Sequence, residues 1–143
     1  MIRDNPLFQQ GIAEFQTGEY YRCHDSLEAV WMETQESEKT FVQGILQISV
    51  ACYHLTHGNQ KGCMILLGEG IKRLKEYLPE YEQVDVRTLI ESSSHFLGAV
   101  QCLEEHEAHA LGEWIQTQSQ CSNQWVDSEG NKISLPILKT TEQ

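Results

Sequence analysis

The residues best suited to chemistry lie together in Tyr20-Tyr21-Arg22-Cys23-His24-Asp25-Ser26-Leu27-Glu28-Ala29-Val30-Trp31. On a helix His24, Glu28 and Trp31 fall within roughly 60° of one another. Cys23, Leu27 and Val30 mark the buried side, which leaves His24 at its edge and Glu28 just beyond. The leading reading is a polar network between helices. Glu28, one turn on, pairs with the imidazole, Trp31 stacks over it, and Gln43 or Gln47 of the next helix completes the shell. A second reading is metal binding, with His24 and Glu28 gripping one ion and His54 supplying a third ligand across the bundle. Against it, ferritin-like sites repeat Glu-x-x-His and add further glutamates, and Gln43 and Gln47 are poor ligands for zinc or iron. A third reading makes His24 a general base oriented by Glu28, with Tyr20 or Tyr21 as a nearby donor. Cys23 is not activated by His24, because adjacent helical side chains point about 100° apart. A second group, His106 and His109 beside Glu105 and Glu107, reads as a solvated acidic stretch that takes up metal only adventitiously.

These side chains need helices to hold them. Asn5-Pro6 is a start signal, with Asn as cap and Pro at the first helical position. Phe8, Ile12 and Phe15 form a stripe that Gly18 closes. A second helix runs from about Glu19 to Thr34, followed by the polar link Gln35-Glu36-Ser37-Glu38. The third, from about Glu38 to His57, is apolar in nearly every direction, as a central helix is. Its one polar line, Gln43, Gln47 and His54, spans about 40°. Gly58-Asn59 joins it to a fourth helix carrying Cys63, Leu67, Ile71, Leu74 and Leu78, with Gly62, Gly68 and Gly70 marking close helix approach and Pro79 as the stop. Asp85 caps a fifth helix with Val86, Leu89, Ile90, Ser93, Phe96, Leu97, Val100 and Leu103 along its inner face. Leu111, Trp114 and Ile115 suggest one more short helix, and Glu129-Gly130-Asn131 reads as a turn. The polar run from Gln116 to Gln124 separates the two. Trp125, Ile133, Leu135 and Ile137 are expected to pin the tail loosely. Gly18 and Gly58 occupy equivalent corners, so two similar helical hairpins follow.

Size and charge narrow the function classes. A chain of 143 residues suits one domain with a core of its own. Its net charge of −11 argues against a nucleic-acid backbone as partner, since phosphate contacts need clustered Lys and Arg. The small cluster Lys72-Arg73-Lys75 fits the negative end of a helix dipole instead. No apolar run is long enough for a membrane helix, no leader-like h-region is present, and no glycine-rich loop with lysine suits phosphate chemistry. The five cysteines, Cys23, Cys52, Cys63, Cys102 and Cys121, form no C-x-x-C pair. Four of them are placed on apolar helical faces, which points to a reducing, cytoplasmic setting.

The segment Phe15-x-x-Gly18-Glu19-Tyr20-x-x-x-His24-Asp25-x-Leu27-Glu28-x-x-Trp31 resembles the core motif of domain of unknown function family 309, a small all-helical bacterial and archaeal family. A second block is also similar: Gln43-Gly44-Ile45-Leu46-Gln47-Ile48-Ser49-Val50-Ala51-x-Tyr53-His54, then Gly58-Asn59 and Gly62. The resemblance spans about residues 8 to 90. One departure is Asp25, where the family usually places Glu directly after the His; the shorter acid weakens any role that needs reach. The resemblance implies a compact bundle of about five helices with no established activity or cofactor.

The expected architecture is therefore all-α, about five helices built from two hairpins plus a fifth. Residues 1–107 form the bundle and 108–143 an irregular tail. The expected function is a small cytoplasmic binding or interaction module. Its half-buried polar pocket lies between helices two and three and comprises His24, Asp25, Glu28, Trp31, Gln43, Gln47, His54 and Tyr20. The alternative is a metal-dependent or acid–base enzyme using His24 and Glu28. No organic cofactor is expected; a divalent metal on His24, Glu28 and His54 is the one inorganic option. The expected partner is a small polar ligand or another protein, not nucleic acid or membrane, and Trp114, Trp125 and the tail offer a homodimer surface.

Overall fold

The computed structural model describes residues 1–117 and 123–141. Among them are six helices: α1 (Pro6–Gln16), α2 (Tyr20–Glu33), α3 (Glu36–Thr56), α4 (Gln60–Leu74), α5 (Val86–Gln101) and α6 (Glu105–Thr117). The start signals act as read. Asn5 Oδ1 accepts from Leu7 N–H at 2.8 Å, Asn59 Oδ1 from Gly62 N–H at 2.8 Å and Asp85 Oδ1 from Thr88 N–H at 3.0 Å. Each satisfies one of the donors a helix start leaves open.

The two hairpin corners are built alike. Gly18 and Gly58 both take positive φ, +80° and +71°. Their N–H groups donate to carbonyls three residues back, Phe15 and Leu55, each at 3.1 Å. The next N–H reaches five back, Glu19 to Glu14 at 2.8 Å and Asn59 to His54 at 2.9 Å. This double closure is the Schellman arrangement, and it sets the turn between α1 and α2 as it does between α3 and α4.

Helix α3 is the central element and packs against α2, α4 and α6, while α1 lies on α2 and α5 on α4. Phe41, Ile45, Ile48 and Leu55 of α3 are sealed with Leu27 and Val30 of α2, Leu67 and Leu74 of α4 and Leu111 of α6. Each such side chain contributes roughly 1.5–3 kcal/mol. Gly70 permits the α3–α4 approach, since a Cβ there would stand 2.8 Å from the Gly44 carbonyl oxygen. Gly68 faces open space and Gly62 its own capping Asn59, so of the three α4 glycines only Gly70 marks a close helix contact.

The structure departs from the sequence reading toward the C-terminus. The short sixth helix is a full 13 residues, and it crosses the division expected at 107. It docks on α3 through Gly112, where any Cβ would collide with the Leu55 carbonyl. Beyond it, β3 (Gln124–Val126) and β4 (Lys132–Ser134) form an antiparallel hairpin with Trp125 opposite Ile133. Its turn is the one expected, with Gly130 at φ +88°. A second two-stranded piece, β1 (Glu80–Tyr81) with β2 (Val84–Asp85), joins α4 to α5.

The last described residues, up to 141, bond back onto the bundle. Asp85 N–H donates to Lys139 O and Thr141 N–H to Gln83 O, both at 2.9 Å, and Ile137 N–H donates to Ser92 Oγ at 2.8 Å. Leu135 and Leu138 are buried, but Ile137, expected to pin the tail, points outward and is 38% exposed. Cys23, Cys52 and Cys63 are free and buried as expected, whereas Cys102 is exposed at the end of α5. Cys121 and most of the polar run around it lie outside the described residues. No helix among the described residues is long and apolar enough to cross a membrane.

Candidate functional site

The polar edge of α2 follows from its helical phase. Cys23, Leu27 and Val30 are fully buried, which fixes the rotation of the helix and leaves His24 half-buried with Asp25 and Glu28 outward. One donor atom from each of these three lies within 4.8 Å of the others. The nearest pair is His24 Nδ1 and Asp25 Oδ1 at 3.3 Å, with the imidazole 29% exposed. The carboxylate is close enough to attract charge there, but its direction leaves Nδ1 without a hydrogen bond. The expected Glu28 pairing is replaced by this contact with the neighbouring residue. Asp25, short as its side chain is, does reach the ring.

Trp31 does not stack on His24. Lys39 Nζ sits over the indole face, 4.2 Å from its centroid, and the indole Nε1 is shielded without a hydrogen-bond partner. The ring beside His24 is Tyr21, with centroids 6.0 Å apart. Tyr20 turns the opposite way, into the core, where its ring meets Phe15 edge-on. Burial and the neighbouring Cys52 push the Tyr20 phenol well above its ordinary pKa, so at neutral pH it stays protonated.

The amides of α3 do not serve His24 either. Gln47 is buried, but its Nε2 donates to Glu69 Oε1 of α4 at 3.0 Å, and its Oε1 is unpaired. The Gly44–Gly70 approach brings α4 onto that side of α3. Gln43 and His54 are only half-buried, so the polar line of α3 lies along a partly solvated stripe rather than in the core. His54 is not a member of the His24 group, which removes it as a third metal ligand. In the antiparallel α2–α3 pair, Ser49 bonds the Tyr20 carbonyl at 2.8 Å and Lys39 meets Trp31, so His54 lies beyond the level of His24.

Sequence reasoning gave little weight to an aromatic series that continues from His24. Tyr21 lies 5.2 Å from Tyr53 of α3, and Tyr53 lies 4.6 Å from His57. His57 is held by both nitrogens, with Tyr53 Oη 3.4 Å from Nε2 and Thr56 Oγ1 3.0 Å from Nδ1. These rings line an open groove of about 700 Å³ where the α1–α2 corner meets the ends of α3 and α6, with Arg22 and Ile115 on its walls. The opening is thus at one end of the α2–α3 seam, not along its length. The only signal for it was the helical spacing of Tyr53 and His57, one turn apart.

The second histidine group stays apart. His106 faces Glu104 at 3.6 Å and His109 faces Glu113 at 3.5 Å, all four well exposed. Glu107 instead accepts from Glu104 N–H at 2.9 Å and closes the start of α6.

A helical bundle with a polar edge on its second helix defines the class of this molecule. Residues 8–66, from α1 into α4, match the family model of the domain of unknown function DUF309. The match stops short of the span to residue 90 that the motifs suggested. The uncharacterized protein YpuF of Bacillus subtilis (strain 168) is 33% identical over 60 residues, covering 41% of this chain and 34% of YpuF. The chain therefore spans about a third of the length of that relative. No solved structure matches the chain.

Proposed function

We propose that this chain is a small binding module that seats a small polar ligand, or a short segment of a partner protein, where α2 meets the end of α3. The observation that supports it is the unbroken series His24–Tyr21–Tyr53–His57 running into an open groove of about 700 Å³. Aromatic faces give contact area at low entropic cost, while their polar tips orient a ligand. His57, tethered at both nitrogens, keeps the wall in place before a ligand arrives. The setting we assign is cytoplasmic, supported by the free thiols of Cys23, Cys52 and Cys63. Ligand-observed NMR with small planar amides and carboxylates, run in chelator, tests the reading. Binding is expected for the native chain and lost in Tyr53→Ala; fragments that bind equally well to both would refute it.

A further inference from the structure

We infer that the groove at the α2–α3 corner recognises a cis-amide edge, the adjacent N–H and C=O of a lactam, an imide or a primary carboxamide. This rests on the reading of that groove as a binding site and names the chemical class of its ligand. Hydrogen bonds on the groove wall fix where the protons sit. Thr56 Oγ1 donates its one proton to the Tyr53 carbonyl at 2.5 Å. In its 3.0 Å contact with His57 Nδ1 the same hydroxyl therefore accepts, and Nδ1 carries the ring hydrogen. In the neutral imidazole Nε2 is then a bare acceptor, which the Tyr53 hydroxyl approaches only to 3.4 Å. That contact is long, so a better-placed donor displaces it at little cost.

Once a ligand N–H claims Nε2, the Tyr53 O–H turns to a neighbouring carbonyl. The wall thus offers an acceptor and a donor 3.4 Å apart. A cis amide carries the complementary pair, with its N and O about 2.3 Å apart on one edge. Spanning the two protein atoms splays each bond by roughly 10–15°, within what a hydrogen bond tolerates. A trans peptide group points its N–H and C=O in opposite directions, so main chain makes one of these bonds and not both. A carboxylate has no donor for Nε2, and the Arg22 guanidinium on the wall is already paired with Glu19 at 3.3 Å. Tyr21 and Tyr53, with ring centroids 5.2 Å apart, add faces for a flat ring, which favours the cyclic amides.

The experiment titrates 2-pyridone, a flat ring with a cis-amide edge, into the full chain and follows binding by NMR. Mildly alkaline buffer keeps imidazoles neutral. N-methyl-2-pyridone, which lacks the donor, is expected to bind at least about tenfold more weakly, because it leaves Nε2 unpaired. Tyr53→Phe keeps the ring face and loses the hydroxyl, and should weaken 2-pyridone about three- to tenfold. Long-range ¹H–¹⁵N spectra of the native chain alone should show His57 protonated at Nδ1 and bare at Nε2. Equal binding of the two pyridones, native affinity in Tyr53→Phe, or a ring hydrogen on Nε2 would each overturn the amide edge while the groove reading stands. If no planar fragment binds at all, both readings fall. The tautomer and the pair of probes are read on the native chain, so the outcome does not depend on a variant that folds.

Discussion

Two helices on the central α3 carry histidine beside carboxylate, and they do different things with it. On α2 the imidazole is 29% exposed, its Nδ1 is shielded, and two acids of the same helix stand close by. On α6, His106 and His109 are 78% and 66% exposed, each faces a single carboxylate, and Glu107 is occupied in closing the helix start. Residue types and spacing barely distinguish the two. The difference lies in how each helix is rotated and held. Cys23, Leu27 and Val30 on α2 drag the neighbouring His24 partly out of water, whereas α6 buries Ala108, Leu111 and Ile115 and leaves its histidines outside. Burial, not composition, turns a solvated acid–imidazole pair into a candidate site.

The largest effect expected from this contrast is in thiol chemistry. Cys23, beside His24, is fully buried, and desolvation pushes its thiol up to about 12. Cys102, near the start of α6, is exposed. Alkylation of the folded chain at neutral pH, followed by peptide mass mapping, should modify Cys102 at least roughly a thousandfold faster than Cys23, the ratio set by a small unfolded fraction. Comparable rates would mean that the α2–α3 seam opens readily and that the shielding of His24 Nδ1 is transient.

Next comes the docking of α6. Gly112 lets the helix backbone meet the Leu55 carbonyl, and a methyl group has no room there. Gly112→Ala should cost about 2–3 kcal/mol in urea unfolding while leaving the α2 edge unchanged. A neutral result would mean α6 is a loose appendage, and the comparison would then set a core helix against a peripheral one.

Much of this was legible in the sequence, and the gaps have physical causes. Caps such as Asn5 and Asp85 and the corners at Gly18 and Gly58 are local, so a few adjacent residues determine them. The apolar faces of α2 and α3 followed from period alone. Gln47 did not: the sequence puts it on the polar line of α3, and only the Gly44–Gly70 approach turns it to α4 and Glu69. The Trp125–Ile133 hairpin was missed because three-residue strands carry too little alternation to register. Tyr21 was named only as an accessory donor because it is 53% exposed, and its partner Tyr53 lies on another helix. Long-range pairing, rather than local propensity, decided each of these.

The smallest expected effect separates a structural histidine from a functional one. Were His24 the keystone of an interhelical network, its removal would leave buried partners unpaired and cost several kcal/mol. Its Nδ1 has no hydrogen bond, however, and Asp25 and Glu28 face water, so little is stranded when the ring goes. His24→Ala, measured by urea unfolding in chelator, should therefore cost no more than about 1 kcal/mol, chiefly the lost packing of a half-buried ring on Tyr21. His106→Ala and His109→Ala should fall within about 0.5 kcal/mol of the native chain. A loss of about 3 kcal/mol in chelator would instead make the α2 edge a structural element, and its likeness to the α6 pairs would end at composition.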